Sequence, residues 1–353
     1  MKSFQCQNCG QLLFFENTQC LHCGYQLGYI PEAQVLTALN TVDNQYWQPL
    51  EPDISHQQFR LCTNYAQENV CNWLIPADDP HPFCRSCRLN QTIPNLDEGN
   101  NRELWAKLEV AKRRLIYSLL ALGLPVVSKE QEPERGLAFD FLAPIGDDAE
   151  PVTTGHADGL ITINVLEADS VMREQMRVAM DEPYRTLLGH FRHEIGHYYW
   201  MLLVQNSGWL EPFRELFGNE QEDYGQALER HYQGDPPANW QEQFVSVYAG
   251  AHAWEDWAET WAHYLHITDA IETAREFGVT VRLKAVSNRT SPTMADLYSQ
   301  SFQNIVDRWL PLTYALNSIN RSMGQPDMYP FVLSPKAIEK LSFVHEVIKG
   351  NHL

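Results

Sequence analysis

The sequence predicts an α+β fold, in which two small cysteine-stapled modules precede a mainly helical domain with a small sheet. All eight cysteines lie within the first 87 residues and divide into two sets of four. After residue 100, apolar side chains recur three and four positions apart, which is the period of helices packed on a core. Two short apolar runs, at 137–142 and 160–166, predict strands. We therefore expect the cysteine modules within residues 1–95 and the larger domain within residues 96–353.

The charge and the composition narrow the partners and the compartment. The chain of 353 residues has 26 basic and 45 acidic side chains, and its net charge is −19. Such acidity disfavours nucleic acid or an anionic membrane as the main partner. No apolar run reaches the roughly 18 residues that a membrane span needs, and no apolar signal-peptide segment is visible. We therefore expect a cytoplasmic protein, whose cysteines bind metal rather than form disulfides.

The first module contains two pairs of cysteines, and a glycine follows each pair. Its cysteines are Cys6, Cys9, Cys20 and Cys23. Each CxxC turn aims two thiolates at one metal, and the glycine tolerates the positive φ that such a turn can require. A redox CxxC is the alternative, but the βαβ context that would support it is missing. The spacing therefore predicts a structural zinc held by four thiolates.

The second module is spaced more loosely. Its cysteines are Cys62, Cys71, Cys84 and Cys87, of which only the last two form a CxxC pair. The segment between Cys71 and Cys84 is rich in proline and aspartate, so we expect it to need a bound metal ion to stay folded. His81 could replace one thiolate, although four cysteines suffice. We expect a second structural zinc, and a short helix at 32–40 in the polar link between the modules.

Modules of this kind bind nucleic acid, dock proteins or serve only to fold. Arg85 and Arg88 are too few to make the dense basic patch that nucleic-acid binding needs. We therefore expect a structural cap or a docking module for another protein.

The domain opens with a predicted helix at 103–122 and centres on the pentapeptide HEIGH. Apolar residues at helical spacing predict one helix over 184–204. His193 and His197 are four apart, so a helix stacks their imidazoles on one side, where they can bind one zinc ion. Glu194 can then take a proton from a water that the metal activates. The alternative is a helix that happens to carry two hydrogen-bonded histidines.

A second informative stretch is 245–267, where tryptophans and alanines predict a helix with an apolar face. Glu255 and Glu259 lie four apart on the same side of it. Buried carboxylates need partners, and a zinc ion and a zinc-bound histidine are suitable ones. The alternative is a solvated acidic face. Asp256 is rotated about 100° from Glu255 and is expected to be a bystander.

Four stretches together resemble a known family. They are the cysteine module at 6–23, CNWLIPADDPHPFCRSCRLN at 71–90, HFRHEIGHYYW at 190–200 and HAWEDWAETWAHYLHI at 252–267. Over nearly its full length the chain is similar to a bacterial family of zinc-ribbon-containing zinc-binding metallopeptidases. The resemblance implies a gluzincin-like domain preceded by two zinc ribbons.

The pattern HExxH followed by Glu255-x3-Glu259 is similar to that of the gluzincins, and most of all to the anthrax lethal factor group. This resemblance implies that Glu255 is the third zinc ligand and that Glu259 steadies a zinc-bound histidine. Tyr248, seven residues before Glu255, stands where that group has the tyrosine that stabilises the oxyanion. The interval of 58 residues from His197 to Glu255 is longer than in thermolysin-like members.

The remaining segments predict supporting structure. Residues 159–164 are a candidate edge strand on which a substrate could pair, although an ordinary sheet strand fits equally well. His156 is expected to be a loop histidine. Further helices are predicted at 211–217, 221–232, 294–309, 312–323 and 335–348, with breaks at Pro311 and Pro330.

The sequence thus predicts a zinc-dependent peptidase with one catalytic and two structural zinc ions, acting on a peptide or protein. Two alternatives stay open. One is a regulatory protein that keeps the fold without turnover and docks a partner through its zinc ribbons. The other is a zinc hydrolase of non-peptide amides. An intact Glu194 favours an enzyme, because a purely structural zinc needs no general base and is usually closed by a fourth protein ligand.

Overall fold

The computed structural model describes residues 1–144, 152–180, 182–234, 236–281 and 301–351. Helix and strand are mixed, and the zinc-ribbon region precedes a mainly helical part. The chain forms two compact units, Met1–Arg173 and Glu174–Leu353. The division between these units lies after Arg173 and not near residue 95. The domain boundary expected near residue 95 therefore stays a prediction.

The first unit is built largely from short strands. Those strands are β1 (Phe4–Gln5), β2 (Leu12–Leu13), β3 (Leu27–Ile30), β4 (Val35–Thr41), β5 (Trp47–Pro49), β6 (Phe59–Leu61), β7 (Leu74–Pro76), β8 (Asn90–Thr92), β9 (Ala138–Leu142), β10 (Gly155–Ala157) and β11 (Leu160–Asn164). Strands β1 and β2 pair with each other, and β3 to β7 form an antiparallel sheet in chain order. The third sheet has the order β10-β11-β9-β8, with β9 parallel to both of its neighbours.

The core of this unit joins the cysteine-rich region to a long helix. Helices α1 (Thr63–Ala66) and α2 (Asn101–Ala121) belong to it. Tyr117 of α2 lies 5.3 Å from the Phe15 ring and 6.2 Å from the Tyr29 ring, measured between centroids. Tyr29 in turn lies 5.0 Å from Trp73. Because large aromatic rings bury much apolar surface, this cluster fixes α2 against both cysteine modules.

The prediction of a short helix at 32–40 is wrong, because residues 35–40 belong to strand β4. Gln34 adopts a φ of 51° and turns the chain between β3 and β4. The β-branched residues that follow suit a pleated, half-buried surface better than a helix. Strands β4 and β5 also make the expected link, 31–52, part of the five-stranded sheet.

Of the two alternatives for 159–164, the edge strand is wrong and the ordinary sheet strand is found. Strand β11 lies between β10 and β9, so both of its sides are paired. Among the described residues, the outer strand on this side of the sheet is β10. Asp158 and Gly159 have φ values of 48° and 84° and form the tight turn that folds β10 back onto β11. His156 lies in β10 rather than in a loop, and its Nε2 accepts a hydrogen bond from the Gly159 amide at 3.0 Å.

Helices dominate the second unit, and α3 spans the boundary between the units. The helices are α3 (Ser170–Ala179), α4 (Leu187–Tyr199), α5 (Leu210–Phe217), α6 (Tyr224–Gln233), α7 (Trp240–Gln243), α8 (Ala253–Glu276), α9 (Phe302–Ser322) and α10 (Pro335–Gly350). Helix α4 begins after Thr186, whose side chain accepts the Gly189 amide, and it continues as a π-helical turn over Trp200–Val204. No helix among the described residues is long and apolar enough to cross a membrane.

The prediction of a helix break at Pro311 is wrong, because α9 continues through this residue without interruption. A proline inside a helix removes one backbone hydrogen bond, so such a helix needs compensation from packing. The buried side chains of Ile305, Val306, Trp309 and Leu312 supply that packing. Residues 294–300 of the helix expected at 294–309 lie outside the described residues.

Helices α4 and α8 cross at very close range. A Cβ atom on Gly196 would lie 3.0 Å from the Cα of Ala258 and 3.2 Å from the Cβ of Trp261. Only a glycine therefore permits this approach without a shift of backbone. The indole Nε1 of Trp257 donates to the Gly196 carbonyl at 2.8 Å and ties the two helices together. The glycine of HEIGH thus brings the histidine helix against the helix that carries Glu255 and Glu259.

Candidate metal centres and active site

The first four cysteines converge on one point. The sulfur atoms of Cys6, Cys9, Cys20 and Cys23 all lie within 4.8 Å of one another. Two of the Sγ–Sγ distances are 3.6 Å, and thiolates at about 2.3 Å from a tetrahedral zinc lie about 3.8 Å apart. Gly10 and Gly24 adopt the positive φ values that the turns were expected to need. The residues therefore fit a zinc ion.

The second four cysteines, Cys62, Cys71, Cys84 and Cys87, also lie within 4.8 Å of one another, and all are buried. Backbone amides support the sulfurs: Cys84 donates to Cys62 Sγ at 3.3 Å, and Trp73 donates to Cys71 Sγ at 3.4 Å. These hydrogen bonds hold the two sulfur atoms in place within the cluster. All eight cysteines are free of disulfides.

His81 lies outside this second cluster. Its Nε2 is 3.2 Å from a Glu130 carboxylate oxygen, and its Nδ1 accepts the Phe83 amide at 3.0 Å. Both ring nitrogens are therefore engaged elsewhere, and the four sulfurs form the group that fits a metal.

The third group lies in the second unit and combines His193, His197 and Glu255. Helix α4 supplies both imidazoles, whose centroids are 5.1 Å apart, and α8 supplies the carboxylate. Nε2 of His193 lies 2.9 Å from Oε2 of Glu255, and Nε2 of His197 lies 3.6 Å from Oε1. His193 and Glu255 are buried, and His197 is half-buried.

The other ring nitrogen of His193, Nδ1, is hydrogen-bonded to a second carboxylate. Its Nδ1 donates to Oε1 of Glu259 at 2.8 Å, and the Ser246 hydroxyl donates to Oε2 at 2.6 Å. A histidine whose Nδ1 carries the proton presents the Nε2 lone pair on its other side. Ser246 has no signal in the sequence, because thirteen positions separate it from Glu259 and a loop carries it.

The two carboxylates beside His193, those of Glu255 and Glu259, favour a positive charge at this position. Burial alone would lower the pKa of His193, but the two carboxylates beside it raise that pKa well above its usual range. Burial opposes ionisation of Glu255, yet the neighbouring His193 lowers the pKa of Glu255 to about 2. Nε2 of His193 lies 2.9 Å from the buried Oε2 of Glu255, so the two ligand atoms converge on one point. A metal ion fits such a group of atoms.

Glu194 is buried in α4, one residue after His193. Burial raises the pKa of the nearby Tyr224, and the charges of Glu255 and Glu194 add to that rise.

The helix predicted over 245–267 is shorter at its start, because α8 begins only at Ala253. Tyr248 lies before it, in the 3-10 turn Tyr248–Gly250. The His252 side chain accepts the Trp254 amide and caps the helix. The Tyr248 ring centroid is 5.9 Å from that of His193 and 5.8 Å from that of His231. Burial and the Glu255 charge raise the pKa of Tyr248, so its hydroxyl keeps the proton needed for donation.

Two contacts of this region have no counterpart in the sequence pattern. Tyr224, the first residue of α6, donates its hydroxyl to Oε1 of Glu255 at 2.7 Å. Asp256 is buried and ion-paired with Lys340 of α10 rather than joined to the three ligand atoms.

Comparisons with known proteins place the chain in a family. The family described as "Putative zinc-binding metallo-peptidase" matches residues 101–347, and a zinc-ribbon domain family matches residues 3–98. Uncharacterised proteins of Mycobacterium bovis and Mycobacterium tuberculosis are each 47% identical over 352 residues, covering 99% of this chain and 95% of theirs. No solved structure matches the chain significantly. Because the first match spans more than half of the chain and includes both α4 and α8, the chain belongs to this family of zinc-binding metallo-peptidases.

Proposed function

We propose that the protein is a zinc-dependent peptidase of the gluzincin type, which hydrolyses peptide bonds with a water activated by zinc and Glu194. The observation that carries the proposal is the convergence of His193, His197 and Glu255, with Glu194 next to His193 in α4. When bound there, zinc would polarise a carbonyl and lower the pKa of water. Three protein ligands leave a coordination position open, as in catalytic rather than structural zinc sites.

The chain's own residues divide the remaining work. Glu194 accepts a proton from the attacking water and later delivers it to the leaving amine. The Tyr248 hydroxyl donates to the oxyanion that develops on the carbonyl oxygen. Glu259 holds the ring of His193 and the tautomer that leaves Nε2 free to bind the metal.

The cysteine clusters of the first unit supply two structural zinc ions in this proposal. Their sulfur positions support the two structural ions, and the group of His193, His197 and Glu255 supports the catalytic one. We further propose a peptide or protein substrate in the cytoplasm and a protein partner for the zinc ribbons. The net charge of −19 disfavours nucleic acid and anionic membranes as partners.

Two other functions use the same residues. A hydrolase of non-peptide amides would need the same metal, base and oxyanion donor, so only the substrate separates it from a peptidase. A regulatory protein without turnover would not need Glu194 beside an open metal site, and the position of Glu194 therefore favours an enzyme.

Turnover of an unbiased peptide library by the zinc-loaded full chain tests the proposal. We expect cleavage by the wild-type protein and almost none by Glu194→Gln at equal zinc content. If neither protein cleaves any peptide, the peptidase proposal fails. If both cleave equally, the activity comes from a different site or from a contaminant.

A further inference from the structure

Tyr224 contacts Glu255 at the oxygen that His193 does not approach most closely. The Tyr224 hydroxyl lies 2.7 Å from Oε1, whereas His193 Nε2 lies 2.9 Å from Oε2. The two oxygens of this buried carboxylate thus have different neighbours. Oε1 accepts a hydrogen bond, and Oε2 has no hydrogen-bond partner among the described residues.

The surrounding rings hold the Tyr224 hydroxyl in place. The Tyr224 ring packs edge-on against His252, with centroids 5.3 Å apart, and lies 6.2 Å from Trp254. His252 is itself fixed, because its Nδ1 accepts the Trp254 amide and its Nε2 is 3.2 Å from the Glu222 carbonyl oxygen. The start of α6 is therefore tied to the start of α8, next to Glu255.

From this geometry we infer that Tyr224 is a positioning residue for the catalytic metal. Its hydroxyl occupies Oε1 of Glu255 and fixes the carboxylate so that Oε2 is the oxygen available to the zinc ion. The inference deepens the proposed function and rests on the ligand role of Glu255 in it. Hydrogen bonds to a ligating carboxylate tune metal affinity in this way, and their loss typically costs about 10–100-fold.

The inference gives Tyr224 and Tyr248 different roles. Tyr248 is proposed to donate to the substrate and so to affect turnover. Tyr224 donates to a ligand, so its hydroxyl should affect the affinity for metal and the coordination of the metal even without substrate. These two effects can be measured separately.

The experiment uses the full chain with Tyr224→Phe, which removes the hydroxyl and keeps the ring. The side chain is 38% exposed, so this change leaves the fold intact, and circular dichroism checks it. Tyr314→Phe is the matched control, because it removes a 56% exposed phenol from α9, which supplies no residue to the site. Zinc affinity of the third site is measured by competition with a chelator, and visible absorption of Co²⁺ placed in that site reports its coordination.

We expect Tyr224→Phe to weaken zinc binding at the third site by about 10–100-fold and to change the Co²⁺ spectrum, while both ribbon zinc ions stay bound. Tyr314→Phe should retain wild-type affinity and spectrum. If Tyr224→Phe matches the wild type in both measurements, the inference is overturned, even if turnover falls.

The outcomes also separate the inference from the proposed function. Weaker zinc binding in Tyr224→Phe, together with a wild-type protein that cleaves no peptide, supports the inference and overturns the peptidase. A wild-type chain that binds no zinc beyond the two ribbon ions overturns both.

Discussion

Nδ1 of His193 donates a hydrogen bond to Oε1 of Glu259 across 2.8 Å, while Nε2 of the same ring faces Glu255. One imidazole thus lies between two carboxylates that are a single helical turn apart on α8. The Ser246 hydroxyl occupies the other oxygen of Glu259 at 2.6 Å. Glu259 therefore has both oxygens engaged by protein donors, whereas Glu255 retains an oxygen for a metal.

This difference predicts unequal losses of zinc from two alanine variants. Glu255→Ala should abolish binding of the catalytic zinc, because a ligand is lost. Glu259→Ala should only weaken binding, by about 10–100-fold, because it releases the ring of His193 without removing a ligand. Competition titration against a zinc chelator measures both. If Glu259→Ala empties the site and Glu255→Ala is mild, the two roles are reversed and the proposed role of Tyr248 is lost with them.

The general base is tested by Glu194→Gln. The amide keeps the size of the side chain but cannot accept the proton, so hydrolysis should fall by about 10²–10⁴-fold. Zinc content and circular dichroism should match the wild type, because Glu194 is not among the three clustered ligands. Glu339→Gln, which changes a 61% exposed side chain on α10, is the matched control and should keep full activity. Full activity in Glu194→Gln would exclude it as the base.

The sequence predicted part of this site because part of it is local. Positions four apart share a helical face, so the pairings of His193 with His197 and of Glu255 with Glu259 follow from spacing alone. Tyr224 and Ser246 come from other elements, and their approach depends on how α6 and the loop before α8 pack. No pattern within a helix carries that information.

The fold shows the same limit. Helix α2 was predicted within two residues at its start and one at its end, because its apolar stripe is long and regular. At 32–40 and at Pro311 of α9, tertiary contacts override the local preference that the sequence shows. Pairing with β3 and β5 makes β4 a strand, and buried side chains carry α9 through Pro311.

Acid sensitivity is predicted for the β10–β11 turn. Burial lowers the pKa of His156 to about 4, and an unfolded histidine titrates near 6.5. The stability that neutral His156 contributes is therefore complete above about pH 6.5 and is lost as the pH falls towards about 4. Urea unfolding at pH 7.5 and pH 5 should show a larger loss for the wild type than for His156→Gln. Equal losses in both proteins would contradict this.

The buried ion pair between Asp256 and Lys340 predicts a stability effect next to the metal site. Both side chains are almost fully buried, and Nζ of Lys340 also donates to the Gln243 carbonyl at 2.9 Å. Lys340→Met leaves the carboxylate buried without its partner, so it should destabilise the second unit by about 3–5 kcal/mol. The double variant Asp256→Leu with Lys340→Met should recover part of that loss in urea unfolding. A double variant less stable than Lys340→Met alone would contradict this account.

The three metal groups predict both a zinc count and an order of loss. Elemental analysis of protein purified without added metal should approach three zinc ions per chain, and a count of one or zero would exclude two zinc ribbons.

A chelator should remove the catalytic ion first, because an open site with three ligands exchanges readily. Of the two ribbon ions, the one at Cys9 and Cys23 should leave before the other, because these two sulfurs are partly exposed whereas the second cluster is fully buried. Loss of either ribbon ion should unfold its module, since binding energy there is folding energy. Thiol titration and circular dichroism during chelation follow both steps, and unfolding of the cysteine modules before loss of the catalytic ion would contradict the order.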